Sequence, residues 1–423
     1  MRRLLKRCSL VAGLSLLVGL QVGCGGDDEG AGAGSGGDGE EVYRVGAVLA
    51  LTGDYSGTDK DSRAGLEATI AEINANGGVN GRQLEFEIED SQSEPSRAAL
   101  AAQALVDKYK PDVMIPDIPC LMALATLPVP NREGIITFTG CDSGDPPASN
   151  PEAFPTNFST FPPPPTLGQP LVQGAELATG KEKMTIGFLR SDDAAGEALV
   201  EPVKAAAEGR GHTWAGDEAF AVGEPDLTVQ LSKLQDAGAD VVILWGQVGD
   251  GGNAMKSVRD LNWDAQVFGG TATVSAALQD EIPDGYQDNF HALVTGNSVR
   301  EGGPETLDPF IQDYLQEASS DVQTLSVVGA VHDGLTLWKW AVERTKSTEP
   351  EKLVAELETL GDLPESEWPE GLQLSNNPMY NAEQHGLLNA NLDNAWGVIK
   401  PSENIMGTYE GEPLSCDCAR PGS

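Results

Sequence analysis

Basic residues are scarce in this 423-residue chain: 27 Lys and Arg stand against 65 Asp and Glu, a formal net charge of −38 at pH 7. Four of the basic residues fall in the first seven positions (Arg2, Arg3, Lys6, Arg7), and the remainder carries 23 basic against 65 acidic residues, a net of −42. A body of that sign repels phosphate backbones, so no nucleic-acid partner is expected, and the charge serves solubility. Histidine is scarcer still: His212, His291, His332 and His385 are scattered without ligand spacing, and Cys416-Asp-Cys418 is too close a pair to hold zinc on its own. No metal and no cofactor is expected. The chain also lacks a Gly-x-Ser-x-Gly elbow, a Walker loop and a His-Glu-x-x-His helix, so no nucleophile or metal-activated water is written into it. It reads as a non-enzyme, with a hydrolase whose groups lie far apart in sequence as the weak alternative.

The one long apolar run lies at the start. Met1-Arg-Arg-Leu-Leu-Lys-Arg7 precedes a mostly apolar stretch from Ser9 to Val22, the order of charges and apolar residues found in export signals and too short for a comfortable membrane span. A buried N-terminal helix would need polar positions at helical spacing, and between Leu10 and Leu20 only Gly13, Ser15 and Gly19 interrupt the run. Gly23-Cys24-Gly25-Gly26 then resembles the lipobox of lipoproteins, although Gln21 stands where an aliphatic residue is usual. Residues 1–23 are therefore read as a signal peptide and Cys24 as the lipidated mature N-terminus, with ordinary cleavage and free secretion as the alternative. Residues 25–41 are almost all Gly, Ala, Ser, Asp and Glu. They offer no apolar surface to offset the entropy of ordering, so 24–41 reads as a flexible tether. Gly34-Ser-Gly-Gly-Asp-Gly39 matches the dinucleotide fingerprint formally, but no strand precedes it and no amphipathic helix follows. Beyond Cys8 and Cys24 the cysteines number four (Cys120, Cys141, Cys416 and Cys418), and an even remainder in an exported chain suggests disulfides.

From Val42 onward strand and helix signals alternate. Tyr43 to Leu51 is an apolar strand, and Ser62 to Asn74 places Leu66, Ile70 and Ile73 on one helical face that Gly77-Gly78 terminates. Asn80-Gly81 is a turn, followed by alternating Leu84, Phe86 and Ile88. Asp112-Val-Met-Ile115 and Ile135-Ile-Thr-Phe138 read as short buried strands, with a helix from Pro95 between. Nine prolines between Pro146 and Pro170 read as a crossing between two halves, because proline is excluded from helix interiors and central strands. The alternation restarts with strands Met184–Leu189, Trp214–Phe220, Val241–Leu244 and Gln266–Phe268 separated by helices. The pattern predicts an α/β fold of two doubly wound parallel sheets, with the loops after their strands facing each other, where open α/β sheets bind ligands.

Val45-Gly-Ala-Val-Leu-Ala-Leu-Thr-Gly53, Gly65-Leu-Glu-Ala-Thr-Ile-Ala-Glu-Ile-Asn74, Gly77-Gly-Val-Asn-Gly-Arg-Gln-Leu84 and Glu89-Asp90 together resemble the branched-chain amino-acid receptors among the type I periplasmic binding proteins, which serve ABC transporters. Asp193-Ala-Ala-Gly196 and Val331-His-Asp-Gly334 are fainter echoes. The resemblance runs from about Val42 to Ile399. It implies a clamshell whose lobes close on a small-molecule solute, crossed three times by the chain near Phe161–Thr166, Thr295–Arg300 and Pro378–His385. Lobe one would be residues 42–163 plus 298–380, and lobe two 164–297 plus 381–423. It further implies an ABC permease as partner, a monomeric body outside the cytoplasm, and membrane contact through the lipid anchor only. A ligand-sensing receptor of the same fold that signals to a partner is the rival reading.

The resemblance places first-lobe ligand contacts at Pro119-Cys120-Leu121 and at Thr139-Gly140-Cys141-Asp142-Ser143. In the second lobe Ala195 stands where the family has a tyrosine, and Thr271 where it has the acidic partner of the ligand's ammonium, with Asp142 and Asp192 as alternative carboxylates. Tyr55, Trp245 and Gln247 lie in or beside the facing loops, and each is equally readable as stacking on a ligand or as core packing. A Cys120–Cys141 disulfide is expected, since the topology brings their loops together and export permits oxidation. Loss of the second-lobe charge argues against a simple branched-chain amino acid and for a small polar or aromatic solute such as an amide or aromatic acid.

Overall fold

The computed structural model describes residues 42–140, 153–160, 164–247, 249–273, 278–295, 325–360, 363, 367, 369, 396–400 and 408–414. The segments expected to carry the signal, lipidated cysteine and tether lie outside these residues, as do Cys141, Asp142, Ser143, Cys416, Cys418 and two of the three expected crossings.

The first sheet is built by β1 (Tyr43–Leu49), α1 (Ser56–Ala75), β2 (Leu84–Asp90), α2 (Pro95–Ala104), β3 (Val113–Ile115), α3 (Cys120–Thr126), α4 (Pro128–Arg132), β4 (Ile136–Thr139) and β5 (Asn157–Ser159). Its order is β2-β1-β3-β4-β5, and every pairing is parallel. In β1 only Arg44 is exposed, as a strand covered on both faces requires. Asn74, at the end of α1, fixes the start of β2: its side chain donates to the Leu84 carbonyl at 2.9 Å and accepts from the Leu84 amide at 2.8 Å. Between them Gly78 has φ +73° and lies so close to the Arg82 carbonyl that a Cβ would stand 2.0 Å from its oxygen, so the Gly-Gly turn admits no side chain there.

The second sheet follows from α5 (Pro164–Thr179), β6 (Thr185–Ser191), α6 (Ala194–Gly209), β7 (Thr213–Phe220), α7 (Thr228–Asp236), β8 (Val241–Trp245), α8 (Asp250–Asp260), β9 (Gln266–Gly269), α9 (Leu278–Glu281) and β10 (Phe290–Thr295). The chain continues through α10 (Leu325–Thr345) and α11 (Pro350–Glu358) to β11 (Trp396–Lys400) and β12 (Thr408–Leu414). The order is β12-β11-β10-β9-β8-β6-β7. Strands β6 to β10 are parallel, and β11 and β12 add an antiparallel edge. Helix α10 covers the first sheet: Trp338 stacks edge-on against Tyr43 at 5.2 Å, and Val331 and Leu335 share a buried cluster with Val45, Ala47 and Phe138. The fold is thus two parallel-sheet α/β lobes.

Three local readings are corrected. Helix α1 begins at Ser56 rather than Ser62, because its first turns bury the polar Thr58, Asp59, Asp61 and Ser62 and so carry no apolar periodicity. The proline-rich stretch contains β5, an edge strand entered after Pro155, where proline is tolerated. The same stretch also opens α5, whose first residues Pro164 and Pro165 occupy positions with no intrahelical N–H partner to lose, although Pro170 lies in its interior.

Candidate functional site

A cleft of about 620 Å³, counting solvent at its mouth, lies between the lobes. The first lobe contributes Tyr55 and Thr58 from the start of α1, Ile118 to Leu121 from the turn between β3 and α3, Gly140 after β4, and Val327 from α10. Facing them are Asp193 and Ala195 at the start of α6, Trp245 and Gln247 at the end of β8, and Ala272 after β9. All of the second-lobe residues lie at or just after the C-terminal ends of parallel strands, the position that the sheet topology provides for a ligand.

Three carboxylates, Asp90 partly buried and Asp59 and Asp117 fully buried, hold the first-lobe wall. Asp90 accepts from the amides of Leu51, Thr52 and Gln92 and from the Thr52 hydroxyl, which fixes the Thr-Gly turn ahead of Tyr55. The Tyr55 amide donates to the Ser93 hydroxyl at 3.1 Å, and Ser93 donates to the Thr52 carbonyl at 2.8 Å. Asp59 accepts from the amides of Ala50 and Ile118 and from Ser62. Its neighbour Asp117 accepts from Ser91 at 2.6 Å and from Thr126 at 3.4 Å. Burial pushes both carboxyls of this hydrogen-bonded pair above the usual carboxylate range, and the charge of Asp59 raises Asp117 further.

The second-lobe wall is organised by Asp193 and Asp250. Asp193 caps α6, accepting from the Gly196 amide at 2.8 Å and the Ser191 hydroxyl at 2.9 Å, as an N-cap carboxylate does. Asp250, fully buried, accepts from the Gln247 amide at 2.7 Å and the Gly223 amide at 3.0 Å and so sets the loop that presents Gln247. Burial raises its carboxyl to about 6 against those two hydrogen bonds, with the Asp193 charge adding to the rise. Across the cleft the Thr58 hydroxyl donates to the Gln247 side-chain oxygen at 3.0 Å. Tyr55 is pushed up to about 12, first by burial and then by Asp193, Asp54 and Asp250. Among the described residues no three His, Cys, Asp or Glu side chains converge to hold a metal ion.

Of the residues singled out in the sequence, Tyr55, Cys120, Leu121, Gly140, Ala195, Trp245 and Gln247 come together around this cleft. Thr139 is buried at the end of β4 without lining it, and its hydroxyl has no hydrogen-bond partner among the described residues. Asp192 is exposed, and its neighbour Asp193 takes the position on the cleft. Thr271 opens the turn that presents Ala272, and its side chain lies outside the described set. Thr58, Ile118, Ala272 and Val327 line the cleft without having been expected there, and Asp193 was expected only as part of the Asp193-Ala-Ala-Gly196 echo. Only Asp193 carried a local signal, an acceptor three residues before Gly196 at the start of a helix.

Comparison with known proteins places this geometry. The family model for periplasmic binding proteins matches residues 42–374. The Leu/Ile/Val-binding protein homolog 3 of Brucella melitensis is 25% identical over 231 residues, 53% of this chain and 60% of that protein, so the match spans less than two thirds of that relative. The leucine-, isoleucine-, valine-, threonine- and alanine-binding protein of Pseudomonas aeruginosa is 24% identical over 75% of this chain and 82% of its own length. Two solved structures share the fold at low identity. The branched-chain amino acid transporter substrate-binding protein of Streptococcus pneumoniae with isoleucine superposes with a TM-score of 0.70 at 16% identity, covering 89% of this chain and all of that one. A solute-binding protein of Rhodopseudomonas palustris with 4-hydroxybenzoate gives 0.70 at 18%, covering 89% and 98%. Two parallel-sheet lobes with a cleft between their strand ends, matched by the family model over most of the folded body, make the chain a member of the periplasmic binding proteins, of the type I class that includes the branched-chain amino-acid receptors.

Proposed function

We propose that the chain captures a small polar or aromatic solute, of the amino-acid, amide or aromatic-acid kind, between its lobes and delivers it to an ABC permease. The observation that carries this reading is the cleft itself: residues of both lobes line it, and Thr58 and Gln247 join across it. A solute touching both walls favours the closed arrangement by the contacts it makes only there. Tyr55, Cys120, Leu121, Gly140, Ala195, Trp245 and Gln247 are its proposed contacts, with Thr139, Asp142, Ser143, Asp192 and Thr271 as outer candidates. The known ligands of relatives, branched-chain amino acids and 4-hydroxybenzoate, support the size class.

The same proposal assigns residues 42–163 and 298–380 to lobe one and 164–297 and 381–423 to lobe two. It holds a monomeric body outside the cytoplasm by lipid on Cys24, and closes a Cys120–Cys141 disulfide beside the cleft. Support for the disulfide is that Cys120, at the start of α3, and Gly140, the residue before Cys141, line the same cleft. Mass spectrometry of what the denatured protein releases after gentle purification tests the capture reading. A bound small molecule of the stated class is expected, and recovery of only buffer components from a chain that also fails to close on any added solute would overturn it. For the anchor, palmitate labelling should vanish in Cys24→Ser, and a labelled Cys24→Ser protein would refute it.

A further inference from the structure

Two carboxyl groups meet behind the first-lobe wall. Asp59, in the first turns of α1, and Asp117, just after β3, are both fully buried and hydrogen-bond to each other. Two ionised carboxylates have no hydrogen to give each other, so one of the pair carries a proton. The partners tell which. Asp59 accepts from the amides of Ala50 at 2.8 Å and Ile118 at 3.2 Å, groups that can only donate, so its oxygens are held as a carboxylate. The partners that other residues offer Asp117, besides Asp59, are the Ser91 hydroxyl at 2.6 Å and the Thr126 hydroxyl at 3.4 Å, which turn to accept as readily as to donate. The proton therefore sits on Asp117 and is donated to Asp59, and the raised Asp117 carboxyl agrees with that placement.

The charge that acts on Asp117 is that of Asp59. Of the other titratable groups on the elements packed around the pair, Asp54, Lys60 and Arg63 at the start of α1 and Arg97 of α2 are exposed, and Asp61 is buried. Asp90 at the end of β2 is taken by the amides of Leu51, Thr52 and Gln92, and His332 of α10 by Glu72 and Asp333. The pair adjoins both parts of the first-lobe wall: Ile118, held by Asp59, lines the cleft, and Thr58, next to Asp59, reaches across to Gln247. Loss of the proton leaves two like charges buried together, a cost relieved by moving them apart and admitting water. That movement takes the β3–α3 turn, which carries Asp117, away from the first turns of α1, which carry Asp59.

Resting on the solute-binding reading above, we infer that Asp59 and Asp117 are positioning residues: a single proton shared between them, carried by Asp117, locks the β3–α3 turn onto α1 and keeps the first-lobe wall in its binding shape, and its loss at alkaline pH loosens that wall and opens the lobes. Neither residue lines the cleft, so the effect reaches the solute through Ile118 and Thr58. A carboxyl whose proton is held more firmly in the folded chain gives its full contribution below the unfolded value and loses it as pH rises through the folded one. The wall is therefore tight at low pH and loose at high pH, and solute affinity falls with it.

Hydrogen exchange of the full chain without solute, from pH 6 to pH 9 and corrected for the intrinsic pH dependence of exchange, tests it. The Leu84 amide of the same lobe is the reference, because its acceptor is the Asn74 side chain, which does not titrate. In the wild type the Ile118 amide, relative to Leu84, is expected to exchange about tenfold faster at pH 9 than at pH 6, the size of one charge-assisted hydrogen bond. Small-angle scattering should show the radius of gyration growing over the same range. Asp117→Asn, whose side-chain amide donates to Asp59 as the protonated acid does, should keep Ile118 slow and the radius constant at both pH values. Asp59→Asn, which leaves the Ala50 and Ile118 amides one acceptor oxygen between them, should make Ile118 fast at both. A wild-type ratio that does not change with pH, or a change that persists in Asp117→Asn, overturns the inference, and the wild-type series decides even where a substitution fails to fold. The capture reading stands or falls separately, on the extracted ligand.

Discussion

Thr58 and Gln247 meet across the cleft, the threonine hydroxyl donating to the glutamine side-chain oxygen at 3.0 Å. Their backbones belong to different lobes, α1 against the first sheet and the loop after β8 in the second, so this bond exists only when the lobes are together. A single neutral hydrogen bond contributes about 0.5–1.5 kcal/mol. Thr58→Val should therefore shift the lobes toward the open arrangement and weaken solute binding about two- to tenfold, by slower closure or faster release. Small-angle scattering without solute should show a larger radius of gyration for the variant. Unchanged scattering together with unchanged affinity would show that the bond contributes nothing to closure.

Gln247 is held in place from behind. Asp250 takes the Gln247 and Gly223 amides, and Gly246, between the strand and the loop, lies so close that a Cβ would stand 2.7 Å from an Asp250 carboxylate oxygen. Removing the carboxylate leaves two amides without their acceptor, at a cost of about 1–3 kcal/mol each if they stay buried. Asp250→Ala is expected to lower the melting temperature and to weaken solute binding, whereas Glu208→Ala, at an exposed carboxylate of α6 away from the cleft, should change neither. Equal effects from the two substitutions would sink the assignment.

The fold was legible from the sequence wherever burial left a period. β1 is an apolar run interrupted only by Arg44, and Ile70 and Ile73 of α1 lie on its buried face. Legibility failed where polar residues are buried: the first turns of α1 hide behind Thr58, Asp59, Asp61 and Ser62, and the partners of Asp59 and Thr58, the Ala50 amide just after β1, the Ile118 amide in the β3–α3 turn and Gln247 of the other lobe, cannot be read from local spacing. The site shows the same division. Tyr55, Trp245 and Gln247 follow from their loops, but Val327 reaches the cleft only because α10 returns over the first sheet. Asp192 and Asp193 are adjacent carboxylates, and their roles separate only when Asp193 is seen to accept from Gly196.

Cys120 is 7% exposed at the start of α3, beside Gly140 in the cleft lining. Pairing of Cys120 with Cys141 would tie the turns after β3 and β4 and restrict the first-lobe wall. Non-reducing peptide mapping should recover a Cys120–Cys141 linked peptide, and reduction should lower the melting temperature by constraining the unfolded chain less, typically about 2–4 kcal/mol for a bridge of ordinary geometry. Recovery of Cys120 alkylated without reduction would refute the bridge.

Stability should fall as pH rises, because the large shifts share one sign. Burial raises the carboxyls of Asp59 and Asp117, and Asp250 is raised to about 6. His332, buried in α10, would be lowered by burial alone, but the Asp333 carboxylate 3.6 Å from Nδ1 and the bond to Glu72 at 3.1 Å outweigh that and raise it to about 9. In each case the folded chain binds a proton that the unfolded chain releases at a lower pH, so the slope of unfolding free energy with pH is negative. For the carboxyls the stabilisation is complete below the unfolded value of about 4 and is lost as pH climbs through the raised folded values. For His332 it is complete below about 6.5 and is lost on the way to about 9. Glu176 and Asp226 are lowered and act oppositely, but both lie toward the surface, where solvent screens them. Melting temperature is expected to decline from pH 5 to pH 9, each ~1 kcal/mol moving it by roughly 2–4 °C. Asp117→Asn, which keeps the shape and a hydrogen-bonding side chain, should flatten the lower part of that decline, and His332→Gln the upper part. A wild-type melting temperature that rises over the whole range, or a slope that neither substitution alters, would show that these buried groups do not carry the linkage.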